Sequence, residues 1–185
     1  MKKLKLTITI VFLCFISCKT HISLRTNKVN YIDTNLYSLK YYLQYENLIK
    51  SKDISINRYI DISENIYPYI KNHKLQIAKT FLRDDEDFNL TVKYYFNKNK
   101  KVKLILYEWN KKNINSDFET KFENIIEFLN RQIGIYDIKK IEIEEESFNT
   151  KTLRDDVKWQ TKDTKAYLFR FKNNFNQIRL AIYKD

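Results

Sequence analysis

Between Phe88 and Trp109 the chain alternates apolar and polar residues twice, with a short polar stretch between the two runs. In "FNLTVKYYF" the residues Phe88, Leu90, Val92, Tyr94 and Phe96 fall on one side of an extended strand. After "NKNKK", Val102, Leu104 and Leu106 repeat the pattern in "VKLILYEW". Side chains of a strand point alternately to its two faces, so period two around a polar turn predicts a β-hairpin with one face in a core. Three further strand-like runs, "DVKWQ", "AYLFRF" and "QIRLAIY", lie near the C-terminus, and "KKIEIEE" suits a short edge strand. An antiparallel sheet is the expectation.

The other side of this hairpin carries the first candidate site. Simple alternation groups Lys93 and Tyr95 with Ile105, Tyr107 and Trp109, and the C-terminal strands would add Arg170, Arg179 and Tyr183. Tyr, Trp and Arg dominate binding hot spots. Tyr95, Tyr107, Trp109 and Arg179 are therefore the candidate binding face. The alternative is that a helix from Tyr31 to Lys50 covers this face and makes it a second core.

Helical spacing recurs in three places. Ile32, Leu36, Leu39, Leu43 and Leu48 suggest a helix between Tyr31 and Lys50. Ile66, Ile70, His73, Ile77 and Phe81 follow at steps of three and four, with Pro68 tolerated if it lies in a first turn. "SDFETKFENIIEFLNRQIG" is the firmest: Ser116 and Glu119 suit a capping box, and Phe118, Phe122, Ile126, Leu129 and Ile133 make a stripe. Gly134 stands where a C-terminal cap belongs. The expected fold is α+β, an antiparallel sheet of five or six strands packed with two or three helices, forming a single domain over 31–185.

Gly134 is the only glycine among 185 residues. Phosphate-cradling loops and nucleophile elbows need backbone that turns sharply or approaches a ligand closely, so the glycine-rich motifs of those classes cannot be written here. No cofactor is expected. His73 is the only histidine after His21, and its place on a helical stripe suits packing better than catalysis. Asp84, Asp85, Glu86 and Asp87 could attract a hard cation but lack the spacing of an EF-hand loop, so no metal is assigned. Glu142, Glu144, Glu145 and Glu146 read likewise as solvated charge. No catalytic residue is singled out.

The two cysteines lie together in "FLCFISCK". Before them come Lys2, Lys3 and Lys5 and then "LTITIVFLCFI", a run too short to cross a bilayer but suited to the apolar region of a signal peptide. "FISC", Phe15 to Cys18, resembles the lipobox of bacterial lipoproteins. The resemblance implies a signal peptide over 1–17, cleavage between Ser17 and Cys18, and acylation of Cys18, palmitate being a usual chain. Residues 18–30 would then be a lipidated N-terminus and flexible tether. Lys19, Arg25 and Lys28 stand where surface-directed lipoproteins carry acids, which implies the periplasmic face of the outer membrane.

Without Lys2, Lys3 and Lys5, the 34 Lys and Arg fall to 31 against 23 Asp and Glu, leaving +8. Abundant Lys, Asn, Ile and Tyr reflect the codon bias of an AT-rich genome, which accounts for much of this charge. In an envelope setting nucleic acid is not the expected partner. The expectation is a lipid-anchored protein with a non-catalytic binding role for a protein or an anionic envelope component. Its sharper form is an immunity or inhibitor lipoprotein. The alternative is a carboxylate-based hydrolase acting on cell-wall or glycan substrates. Oligomeric state is left open.

Overall fold

The computed structural model describes residues 31–56, 62–70, 72–85, 87–114, 116–147, 150–172 and 177–184, with side chains left undescribed at 145–152. The expected signal peptide and tether, with Ser17 and Cys18, lie outside the described residues. One compact unit spans Ile32–Asp185.

The sheet has eight strands rather than five or six: β1 (Lys52–Asp53), β2 (Lys79–Asp84), β3 (Phe88–Phe96), β4 (Val102–Lys111), β5 (Ile138–Ser147), β6 (Thr150–Gln160), β7 (Lys165–Phe171) and β8 (Gln177–Tyr183). Their order is β1-β2-β3-β4-β8-β7-β6-β5, antiparallel throughout. Two meanders, β1 to β4 and β5 to β8, thus join where β4 pairs with β8. Two helices are described, α1 (Leu39–Leu48) and α2 (Phe118–Ile133), the second carrying the chain from one meander to the other.

Both helices pack on the same face. α2 buries Phe122, Ile125, Ile126 and Leu129, close to the expected stripe. Its N-cap is Asp117 rather than Ser116: the Asp117 carboxylate accepts from Thr120 N at 3.0 Å. Ser116 Oγ donates instead to Asp87 O at 2.5 Å, which ties the helix start to the β2–β3 loop. Gly134 ends the helix at φ +102, a conformation that side-chain-bearing residues avoid. α1 is shorter than expected and rotated. Ser38 caps it, and it buries Leu39, Tyr42, Tyr45 and Glu46 while Leu43 and Leu48 stay exposed.

The helix expected around Ile66–Phe81 is absent from the described residues. Turns occupy 64–66, 68–70 and 72–74, and Lys74 adopts φ +46. Tyr67, off the expected stripe, is the fully buried residue, and its hydroxyl meets His73 Nδ1. Gln76 N donates to Phe96 O at 2.7 Å. The segment is an irregular strap lying on the sheet face opposite the helices, with Leu75 and Ala78 buried beside Tyr67 in the second core. Phe81 has already entered β2 and packs on the helix side.

One irregularity in the hairpin decides which residues share a face. Phe96 pairs with Val102 and Tyr95 with Leu104, so Lys103 is an extra residue in β4. Such a bulge moves every later side chain to the opposite face. Val102 therefore belongs with the helix-side core, as alternation from β3 suggests, but Leu104 and Leu106 do not. Ile105, Tyr107 and Trp109 take their place under the helices.

Candidate functional site

The bulge breaks up the expected binding face. Tyr95 lies in the second core with Leu104 and Leu106, and Tyr107 and Trp109 lie in the helix-side core; all three are buried. Tyr107 Oη accepts from Asp33 N at 2.9 Å, and its ring stacks on Trp109 at 5.8 Å. The four residues thus form no common surface. Arg179 alone reaches an open one, its side chain about a third exposed.

That surface is the half of the second face nearer β5. Three cross-strand rows build it. Ile138, Lys158, Tyr167 and Ala181 are paired in sequence across β5, β6, β7 and β8; so are Lys140, Asp156, Phe169 and Arg179. The third row runs Ile143, Arg154, Phe171 and Gln177. Cross-strand neighbours lie about 5 Å apart, so these rows form one patch. Over it stands a cavity of about 670 Å³, bounded on the strap side by Ser63, Asn65 and Ile66.

The floor is aromatic. Tyr167 and Phe169 have ring centroids 4.9 Å apart, and Phe169 meets Phe171 edge-on at 5.6 Å. Four cations surround it: Lys140, Arg154, Lys158 and Arg179. Lys158 Nζ lies 4.4 Å from the centre of the Tyr167 ring, where the ring's quadrupole attracts it. Against these, among the described residues, stands one lining carboxylate, Asp156, and it is already engaged. Arg154 grips it through Nε at 2.7 Å and Nη2 at 3.0 Å, and the Tyr167 hydroxyl donates to it at 2.9 Å. At the rim, Glu108 takes Arg179 Nε at 3.0 Å and Lys93 Nζ at 3.0 Å. Lys140 is exposed and makes no ion pair among the described residues. The cavity therefore offers positive charge above a hydrophobic floor.

Chemistry that uses two carboxylates needs a second one facing Asp156 across the cavity, and among the described residues Asp156 is the single acid in its lining. Of the other acids considered in sequence, Glu86 and the side chains of Glu145 and Glu146 lie outside the described residues, and three are paired elsewhere. Asp84 pairs with Lys112 at 2.8 Å and Asp85 with Lys121 at 3.1 Å. Glu142 pairs with Lys172 at 3.1 Å. His73 stacks on Tyr69 beside Tyr67, in the strap. Among the described residues no group of three His, Cys, Asp or Glu side chains is placed to hold a metal.

Two further charged clusters are buried on the helix side. Glu46 of α1 accepts from Arg83 Nη2 at 2.6 Å, from Ser51 Oγ at 2.5 Å and from the Tyr94 hydroxyl. Arg83 Nη2 also reaches Tyr94 Oη at 2.9 Å. Burial pushes the Tyr94 phenol well above its usual range, although Arg83 opposes the shift, and does the same to Tyr107 and Tyr42. For Arg83, burial works against the charge, but Tyr94 and Glu46 overcome it and leave the guanidinium more firmly protonated. Nearer β5, Asp155 accepts from Arg170 Nε at 2.6 Å and from Glu142 N at 2.8 Å, with Lys172 Nζ at 3.3 Å. Its burial raises the carboxyl pKa, and these donors more than reverse that, so it stays ionised below the ordinary range. Arg170, expected with Arg179, thus points to the helix side and bridges to Glu119 at 2.6 Å.

The cavity residues that alternation around the first hairpin missed are Lys140, Arg154, Asp156, Lys158, Tyr167 and Phe169. Their signal is present in "RDDVK" and "AYLFRF", where charged or aromatic residues recur with period two. Only the pairing of β6 with β7 and β5 makes one surface of them. Comparison of the chain with protein-family models, curated proteins and solved structures finds no match.

Proposed function

We propose that this chain is a lipid-anchored envelope protein whose 31–185 domain binds an anionic envelope component in the cavity over β5 to β8, without transforming it. The observation that carries this reading is the lining: among the described residues, four cations around an aromatic floor, with a single carboxylate already held by Arg154 and Tyr167. Such a surface suits a ligand with an acidic group and an apolar or sugar-like body. In the inhibitor form of the reading, an acidic loop of an envelope enzyme occupies the same cavity. The anchor rests on the basic start, the uncharged run and "FISC", and a second acyl chain makes attachment by Cys18 stable.

The test is retention of envelope material by the purified chain. Wild type should retain an anionic fraction, and a Lys140→Glu/Lys158→Glu variant should lose it. Neutral retained material, or equal retention by the variant, contradicts the reading. The anchor is tested separately by intact mass: acyl mass on a chain beginning at Cys18 is expected, and Cys18→Ala should lack it.

A further inference from the structure

The strands end in opposite charge. At one end of the sheet lie the β3–β4 turn, the β6–β7 turn and the link from α2 to β5. The register puts them together: Phe96 pairs with Val102, Tyr183 with Leu104 and Lys165, Gln160 with Lys165, and Ile138 with Lys158. The start of α1 joins them, because Leu39 N donates to Lys100 O at 2.9 Å and Val102 N to Tyr37 O at 3.3 Å. Lys40, Lys98, Lys100, Lys101 and Lys162 are exposed here, and none makes an ion pair among the described residues. The acids of the same segments are Asp163 and Asp137, whose Oδ2 accepts from Gln160 N at 2.6 Å. From Phe88 to Tyr107 and from Thr34 to Tyr45 the sequence holds no acid.

The opposite end reverses the sign. Asp84, Asp85, Asp87 and Asp117 stand around the β2–β3 loop and before α2. Of the lysines beside them, Lys112 is held by Asp84 and Lys121 by Asp85, which leaves Lys111. Two exposed apolar side chains accompany the basic end instead. Tyr37, just before the Ser38 cap of α1, is 37% exposed, and Ile135, just past Gly134, is 83% exposed. Thr34 O also accepts from Thr164 Oγ1 at 3.5 Å, in the β6–β7 turn. Tyr31 is at most about 10 Å of chain from that contact.

We infer that the basic end of the domain docks on an anionic lipid bilayer, with its five lysines among the headgroups and Tyr37 and Ile135 dipping between them. Lysines within a Debye length of such a surface are attracted to it, and apolar side chains add burial at the interface. Tyr suits that depth, since its ring is apolar and its hydroxyl stays wet. The choice of lipid over another polyanion rests on the anchor proposed above: a tether over 18–30, at most about 45 Å long, joins the domain near these lysines and brings them to the bilayer first. Docked in this way, the strands rise from the membrane. The row of Ile138, Lys158 and Tyr167 is then the side of the cavity nearer to lipid.

The test is paramagnetic broadening of the full chain on nanodiscs that carry a gadolinium-chelating headgroup. On phosphatidylglycerol discs, the amides of 98–101 and Ile135 should broaden several-fold more than those of Asp87 and Asp117. This gradient should fall several-fold in high salt, on phosphatidylcholine discs, and in Lys40→Glu/Lys98→Glu/Lys101→Glu, whose fold is checked by unchanged β7 and β8 shifts. Intact mass of the same sample reports the anchor separately. A chain without acyl mass that shows the gradient ends the anchor reading and keeps the docking. An acylated chain with even broadening, or with the same gradient on both kinds of disc, does the reverse. A gradient kept in the triple variant but lost in Lys140→Glu/Lys158→Glu assigns the lipid to the cavity and overturns the docking. So does a chain that fails to associate with anionic discs.

Discussion

Two arginine–carboxylate–tyrosine clusters sit on opposite faces of one sheet. Arg83, Glu46 and Tyr94 lie beneath α1, and Arg154, Asp156 and Tyr167 line the cavity. The chemistry is the same; the surroundings differ. The Arg83 and Glu46 side chains are 2% and 0% exposed, whereas Arg154 keeps 21%. In the first, every partner comes from this chain and α1 seals the group from water. In the second, the guanidinium holds its carboxylate in place while Lys140 and Lys158 leave positive charge facing solvent. A buried ion pair fixes how α1 docks and is closed to ligands. A half-open one can shape a binding surface.

Breaking the sealed cluster should have the largest effect. Glu46→Ala leaves Arg83 buried without its counter-charge, and the expected loss is about 3–5 kcal/mol in urea unfolding. Next comes Asp155. Its folded carboxyl titrates below the unfolded value, so its stabilisation is complete above the usual carboxylate range and is lost as pH falls through the depressed folded value. Asp155→Asn should cost about 1–3 kcal/mol at neutral pH. The same variant should flatten the acid limb of stability against pH, because the titrating group is gone.

Arg154→Ala should cost less than Glu46→Ala, about 1 kcal/mol, since Asp156 keeps the Tyr167 hydroxyl and reaches water once the guanidinium is removed. If the two losses are equal, the distinction between sealed and half-open clusters fails. The smallest stability change is expected for Lys140→Glu/Lys158→Glu, within about 0.5 kcal/mol. Its anion affinity should nonetheless fall at least about tenfold, or about 1.4 kcal/mol.

Much of the architecture was legible because local pattern and tertiary use agree. β3 alternates cleanly, and α2 carries both its stripe and the terminal Gly134. The rest turned on events that periodicity does not encode. The extra Lys103 in β4 moved Tyr107 and Trp109 beneath the helices. The strap around Tyr67 shows helical spacing, yet its apolar residues are spent against a sheet, and Lys74 at positive φ interrupts any helix. In α1, buried Glu46 replaces an expected leucine because Arg83 of β2 waits for it. The cavity draws on strands distant in sequence, so only Arg179 was reached by reading one hairpin outward.

The most direct measurement is a heteronuclear NMR titration of the chain with phenyl phosphate, alongside phenol as its uncharged counterpart. The account predicts shifts centred on Lys158, Tyr167 and Phe169, weakened by salt, absent with phenol at the same concentration, and lost in Lys140→Glu/Lys158→Glu. Shifts spread evenly over the basic surface, or an equal response to phenol, would contradict it.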